Sequence, residues 1–280
     1  MSQVVNYVFP PAQFSPLDIW SLVIPMGVIA NNPRFTVLAE TEDYIVVNKP
    51  APLKVHPGSP DGAPTLYDEL RGLLAYEILL GGQISIINRL DRETSGVTLV
   101  AKNHETARRF GMAMMAHQFH KSYQAIVQGW PEWEEVDFSG AILRKGEMME
   151  SPIYIKQMVH ENGAPCRTRF KVLRRLQKPC GLKCALVECE PVTGRMHQIR
   201  VHLSHLGHPL VGDKMYGVDE TCYLDFIVTG WTEDLQRRLL LRRHALHAHR
   251  LELEGEGVWE APLPEDMTGF LADCAEVAAA

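Results

Sequence analysis

The sequence predicts an α+β fold, a mixed, largely antiparallel sheet flanked by helices, because its segments carry both structural periods. Residues 167–176, 182–190 and 246–253 alternate apolar with polar side chains, the period of half-buried strands. A short Gln-Lys-Pro-Cys-Gly turn joins the first two as an antiparallel hairpin. Residues 65–81 and 103–119 instead repeat apolar side chains every three or four positions, as helices do. Between those helices an apolar run ends at Ile87, the polar knot Asn-Arg-Leu-Asp-Arg-Glu-Thr-Ser-Gly follows, and a second apolar run continues from Val97 to Ala101. The knot reads as a loop between two buried strands.

In chain order, residues 1–34 read as a Pro-rich arm laid against the body, since Pro10, Pro11, Pro16, Pro25 and Pro33 forbid a continuous helix or a central strand. Residues 35–280 are expected to form the main domain. Phe35 to Glu40 and Tyr44 to Asn48 are short strands joined by Thr-Glu-Asp, and Lys49 to Pro64 is a loop. Thr65 with Asp68 and Glu69 has the capping pattern of a helix start, and that helix should pack under the polar loop. Ala107, Phe110, Met114 and Phe119 mark one face of the next helix, where the methionines read as core filler. Lys121 to Gly129 alternates as a strand with Tyr123 among small residues that leave its ring accessible. Arg195 to Leu206 is predicted to be helical, and Leu263 to Ala280 a terminal helix interrupted near Gly269.

At 280 residues and 46% hydrophobic content the chain can bury a sizeable core. No apolar run approaches the roughly 20 residues of a membrane span, and the first basic residue is Arg34, so a cytoplasmic protein is the default expectation. The cysteines form no Cys-x-x-Cys pair, which supports neither a zinc ribbon nor a redox motif. A net charge of −6 argues against nucleic acid only if charge is averaged. Acid collects at Glu132 to Asp137 and base at Arg167 to Arg175 and Arg237 to Arg243, a segregation that leaves room for a basic face or for solvated strand surface.

Asp91 sits at the centre of the polar loop, flanked by Arg89 and Arg92 and followed by Thr94, Ser95 and Gly96. A carboxylate between two cations on a short turn can be kept ionised and aimed. On spacing alone an exposed Asp in a capped turn fits equally well. His197, His202, His205, His208 and Asp213 offer donors of the kind metals take, but the His-Glu-x-x-His pattern is absent and hydrogen-bonding histidines are the simpler reading. No glycine spacing builds a phosphate cradle.

Arg-Leu-Asp-x-x-Thr-Ser-Gly resembles the signature loop of the RluA family of RNA pseudouridine synthases. The resemblance recurs in family order at Val47-Asn48-Lys49-Pro50 with His56-Pro57, at Lys121 to Gly129, at Thr193 to Leu203, and at Gly207 to Asp213. Many relatives carry His where this chain has Asn88. The resemblance implies an enzyme that isomerises specific uridines of structured ribosomal or transfer RNA to pseudouridine, with no metal, nucleotide or redox cofactor. In the roles it implies, Asp91 acts on the ribose, Arg200 holds the Asp91 charge, and Tyr123 stacks on uracil and assists proton removal. Arg89, Arg92, Thr94, Arg195, His197 and Gln198 are the expected substrate-binding residues, with Arg89 filling the stack vacated by a flipped base. The expected partner is an RNA stem-loop, bound by a monomer without a membrane. A catalytically idle RNA-binding protein and a His-dependent metal hydrolase are the competing classes; intact Asp91, Tyr123 and Arg200 weigh against the first, and chelator would unmask the second.

Overall fold

Among the described residues Phe35 is the first buried side chain, and from it the chain enters a hairpin of β1 (Thr36–Glu40) and β2 (Tyr44–Lys49), with Thr36 opposite Asn48. The structure is a computed structural model that describes residues 33–58 and 62–277, so most of the expected arm lies outside the described residues. Thr65 caps α1 (Leu66–Leu73) as predicted: its hydroxyl accepts from the Asp68 N–H, and the Asp68 carboxylate accepts from the Thr65 N–H at 2.9 Å. The helical run towards Gly81 breaks at Leu74 into a separate short α2 (Ala75–Leu79), with Leu79 and Leu80 at its end 83% and 70% exposed. The α1 helix packs on the sheet, against Ile45, Val47 and Val100, and beside Leu53, whose N–H bonds the Arg92 carbonyl of the polar loop.

The loop lies between β3 (Ser85–Ile86) and β4 (Ser95–Ala101), which pair antiparallel, and β4 is buried along its whole length. Asn103 caps α3 (His104–Met115), which stops short of the predicted Phe119 where His117 takes a φ of 56°. Phe119 instead opens β5 (Phe119–Gln128). The methionines are also not simply core: Met112 and Met115 are 55% and 75% exposed, while Met114 packs on the apolar core.

Next come β6 (Glu135–Ser139), β7 (Ile142–Arg144) and β8 (Gln157–Val159), then the predicted hairpin of β9 (Arg167–Gln177) and β10 (Lys183–Pro191). The following helix, α4 (Gln198–His205), starts three residues later than its pattern suggested, because His197 holds a left-handed φ of 58° that ends the preceding turn. An unpredicted excursion of α5 (Thr221–Thr229) and α6 (Glu233–Leu239) leads into β11 (Leu246–Leu253) and β12 (Gly257–Glu260). The terminal helix α7 (Glu265–Leu271) carries Gly269 inside it without a break, and the chain then returns to the sheet as β13 (Ala275–Val277).

The strands form one sheet in the order β1-β2-β4-β11-β5-β10-β9-β13, with β3 on β4, β12 on β11 and β6 on β9, while β7 and β8 pair separately. The β4–β11 contact is parallel and the other pairings are antiparallel, which is the predicted class. Alternation sends Val46 to the core under α3 and Val47 to the core under α1. Farther along, Ala125 and Phe170 of the sheet pack against Ile199 and Leu203 of α4, and Ile126 and Leu176 against Met267 and Phe270 of α7. The loop before β4, the strand β5 and the start of α4 therefore meet over the middle of the sheet.

Candidate active site

The loop carrying Asp91 is tied down from several directions, so its position is set by the sheet. Asn88 donates to the Val97 carbonyl at 2.8 Å and accepts from the Leu99 N–H at 2.7 Å, stapling the incoming chain to β4. The Thr94 N–H closes a turn on the Asp91 carbonyl, and the Thr94 hydroxyl meets His244 Nε2 at 2.8 Å. The Arg92 carbonyl accepts from the Leu53 N–H, and from the buried Lys49 ammonium at 3.4 Å. Glu93 binds Lys214 at 2.9 Å. Gly96 is required where the loop leaves, because a Cβ there would sit 2.2 Å from the Ala248 carbonyl of β11.

Asp91 is left facing a cleft of about 510 Å³ whose lining includes Tyr123, Ile199 and Leu246. Arg200 reaches it from α4 across 109 residues of sequence, donating from Nη1 to Asp91 Oδ2 at 3.0 Å. The same guanidinium makes a bidentate pair with Asp213, Nε to Oδ2 at 2.7 Å and Nη2 to Oδ1 at 3.0 Å. Asp213 is fixed in turn by the Met215 and Tyr216 N–H groups, and Gly212 before it is needed because a Cβ would meet the Arg243 carbonyl at 2.0 Å. Arg200 is 6% exposed, so it is an anchor inside the protein and not a surface cation.

Burial by itself would raise the Asp91 carboxyl, but the charge of Arg200, then those of His197 and His244, and the Arg200 hydrogen bond together hold it below the usual range. Burial and the Arg200 charge push His197 down to about 4, so at neutral pH its imidazole is uncharged and Arg200 is the cation that keeps Asp91 ionised. The His197 ring is oriented by its partner: Tyr216 accepts from the Gln157 N–H at 2.9 Å and its hydroxyl shares a hydrogen bond with His197 Nδ1 at 2.8 Å. That leaves Nε2 on the cleft side, 3.9 Å from Asp91 Oδ2. Burial, with the Asp91 charge adding to it, raises the Tyr123 phenol above its ordinary value, so that hydroxyl keeps its proton.

The arrangement offers an ionised carboxylate, a neutral imidazole and an accessible phenol ring around one cavity. The chain matches the family model for RNA pseudouridylate synthase over residues 43–205. It is 33% identical to ribosomal large subunit pseudouridine synthase D of Nitrosomonas europaea over 84% of this chain and 64% of that protein. The same-named protein of Haemophilus ducreyi is 30% identical over 97% of this chain and 89% of its own length. The chain belongs to the RluA family of RNA pseudouridine synthases. Among solved structures, human RNA pseudouridylate synthase domain containing 1 shares the fold with a TM-score of 0.64 and 26% identity, covering 87% of this chain and 89% of that one.

Seen against this family's expected residues, the cleft brings together Arg89, Asp91, Thr94, Tyr123, Arg195, His197, Gln198 and Arg200, while Arg92 points to a neighbouring cavity. Their side chains are not equally free. Gln198 accepts from the Thr193 hydroxyl and the Arg195 N–H and donates to the Arg167 carbonyl and Thr168, so it shapes the loop that presents Arg195. Thr94 is likewise 2% exposed and spent on His244. The histidines weighed as metal ligands diverge: His202 bonds Thr168 and the Gly140 carbonyl, His208 the Gln128 carbonyl, and Asp213 is taken by Arg200. Sequence reasoning missed Asp213 as the anchor of Arg200, Tyr216 as the group that sets His197, and Lys49 beneath the loop. Asp213 had a visible signal, since it follows Gly212 in one of the family-like segments.

Proposed function

We propose that this chain isomerises a specific uridine in structured RNA to pseudouridine, with Asp91 as the catalytic carboxylate. The observation that carries the proposal is the Asp91–Arg200–Asp213 chain of charges: a buried cation, itself anchored, holds a carboxylate ionised at an open cleft. Isomerisation breaks the bond from uracil N1 to the ribose, turns the base within the pocket and forms a carbon–carbon bond from C5. The base loses its C5 proton and gains one at N1, so nothing is oxidised or hydrolysed overall.

In this reading Asp91 acts on the ribose, by attack at the anomeric carbon or by taking a proton from the 2′ carbon. Tyr123 gives uracil a stacking face. Because its phenol is held protonated, it can pass a proton but starts as a poor base. His197 Nε2 is placed to hydrogen-bond a substrate group beside Asp91, while Arg89 and Arg195, exposed at the cleft rim, contact the RNA backbone or fill the vacated stack. Flipping the base costs a few kcal/mol, which favours loops as targets.

The names of the bacterial relatives favour ribosomal RNA, and transfer RNA remains the second target class. We assign the catalytic body to residues 35–280 after an arm at 1–34, with Phe35 as its first buried side chain. Among the described residues no helix is long and apolar enough to cross a membrane, and a monomer in the cytoplasm fits the reading. The test is tritium release from stem-loop RNA labelled at uridine C5, with chelator present and no nucleotide added. Release accompanied by pseudouridine in the product supports the proposal. Release that requires a restored metal, or no release from ribosomal or transfer RNA, overturns it.

A further inference from the structure

A second cavity, of about 270 Å³, opens on the Arg92 side of Asp91 and shares Asp91, His197 and Arg200 with the catalytic cleft as a common wall. Its far wall comes from the unpredicted α5 and is apolar, with Tyr223, Phe226 and Ile227 facing Met215 and Ile155. Ile227 is 60% exposed and Ile155 39%, so the mouth presents aliphatic surface to water. Glu93 and Lys214 line the cavity floor but neutralise each other at 2.9 Å, and the Lys214 ammonium lies over the Phe226 ring at 4.7 Å. Arg92 is exposed at the mouth, and no carboxylate among the described residues pairs with it.

We propose that this cavity is a subsite for the nucleobase adjacent to the target uridine in the RNA chain. This inference rests on the synthase reading of the neighbouring cleft. The volume falls just below the roughly 300–1,000 Å³ that houses a drug-sized ligand, which suits a single base. Aromatic and aliphatic walls accept the face of any base without reading its edges. The unpaired guanidinium of Arg92 is placed for the phosphate that links the two nucleotides. The site also answers an energetic need, because extruding the uridine strips its neighbour of a stacking partner, and the cavity wall supplies a new one.

The test uses the full chain and stem-loop RNAs carrying an abasic residue immediately 5′ or 3′ of the target. Wild-type protein is compared with an Ile155→Ser/Ile227→Ser variant, changed only at the exposed mouth. For one of the two positions, the abasic RNA should raise the wild-type KM about tenfold, the lower part of the range for a lost stack, with kcat held. The variant should show the same rise on intact RNA and no further rise on that abasic RNA. Matching kcat values of variant and wild type on the abasic RNA certify the fold. Additive losses, or no KM change from either alteration, overturn the subsite and leave the cavity to a non-RNA occupant. Turnover of intact RNA by the wild type is measured alongside, so failure of the synthase reading is recognised separately.

Discussion

The β6–β9 face and the rim of the cleft are built from similar cations with opposite fates. On the face, Arg167 pairs with Asp137, Lys171 with Glu135 at 2.8 Å, Arg174 with Glu276 at 2.8 Å and Arg175 with Glu134 at 2.5 Å. The acidic and basic clusters that looked segregated along the chain are brought side by side by strand pairing, Glu135 opposite Lys171 and Asp137 opposite Arg169. Within the Arg237–Arg243 cluster, Arg237 pairs with Asp234, Arg238 with Asp219 and Arg243 with Asp266, while Arg242 lies over the Trp231 ring. At the rim, Arg89, Lys121 and Arg195 have no carboxylate partner among the described residues. A chain of net charge −6 thus keeps three cations free of carboxylates at the cleft where the proposed substrate lies. Density of basic residues in sequence says little about RNA contact; absence of an acidic partner in the fold says more.

The largest effect that would break this contrast is expected at Arg200, where charge is matched and buried. Arg200→Met leaves Asp213 inside the protein without its cation and should destabilise the fold by about 3–5 kcal/mol, read by urea denaturation. A loss under 1 kcal/mol would mean that the backbone N–H groups suffice to hold Asp213.

The buried histidines sharpen the same contrast by pH. His197 and His247 are each pushed down to about 4, mainly by burial, so the folded protein binds fewer protons than the unfolded chain between pH 6.5 and 4. Stability present above pH 6.5 is therefore lost on acidification towards 4, at up to about 1.4 kcal/mol per pH unit for each histidine. Melting temperatures across that window should fall. A flat profile would show that these rings protonate without leaving their sites.

Smaller effects separate the rim from the face. Arg89→Ala/Arg195→Ala should weaken RNA binding and reduce the slope of log K against log salt by about 1–2. Arg169→Ala/Lys171→Ala, which removes paired surface cations, should change affinity less than about twofold. Equal losses would dissolve the distinction.

Much of the local architecture was legible in sequence, because caps and periods act over a few residues: Thr65 with Asp68, the alternation of β9 to β11, the turn around Asp91. What escaped depends on distant parts of the chain. Lys214 meets Glu93 across 121 residues, and nothing within either segment announces it. His197 breaks the helical pattern through a backbone conformation its residue type rarely adopts. The strand β13 is defined only by its partner β9, so its short segment read as helix. Asp91, Arg200 and Tyr123 were chosen through the family resemblance, and the fold adds that the first two are bonded and that Asp213 holds the second in place.

The central claim is that the ionised Asp91 carboxylate is the reacting group, and Asp91→Asn tests it most directly. Asn keeps the size and can still accept from Arg200, so the fold should be retained, as checked by near-UV circular dichroism. Tritium release from uridine C5 should fall at least about a thousandfold, the scale on which enzymes lose turnover when a reacting side chain is removed. Release within tenfold of wild type from the folded variant would contradict the account.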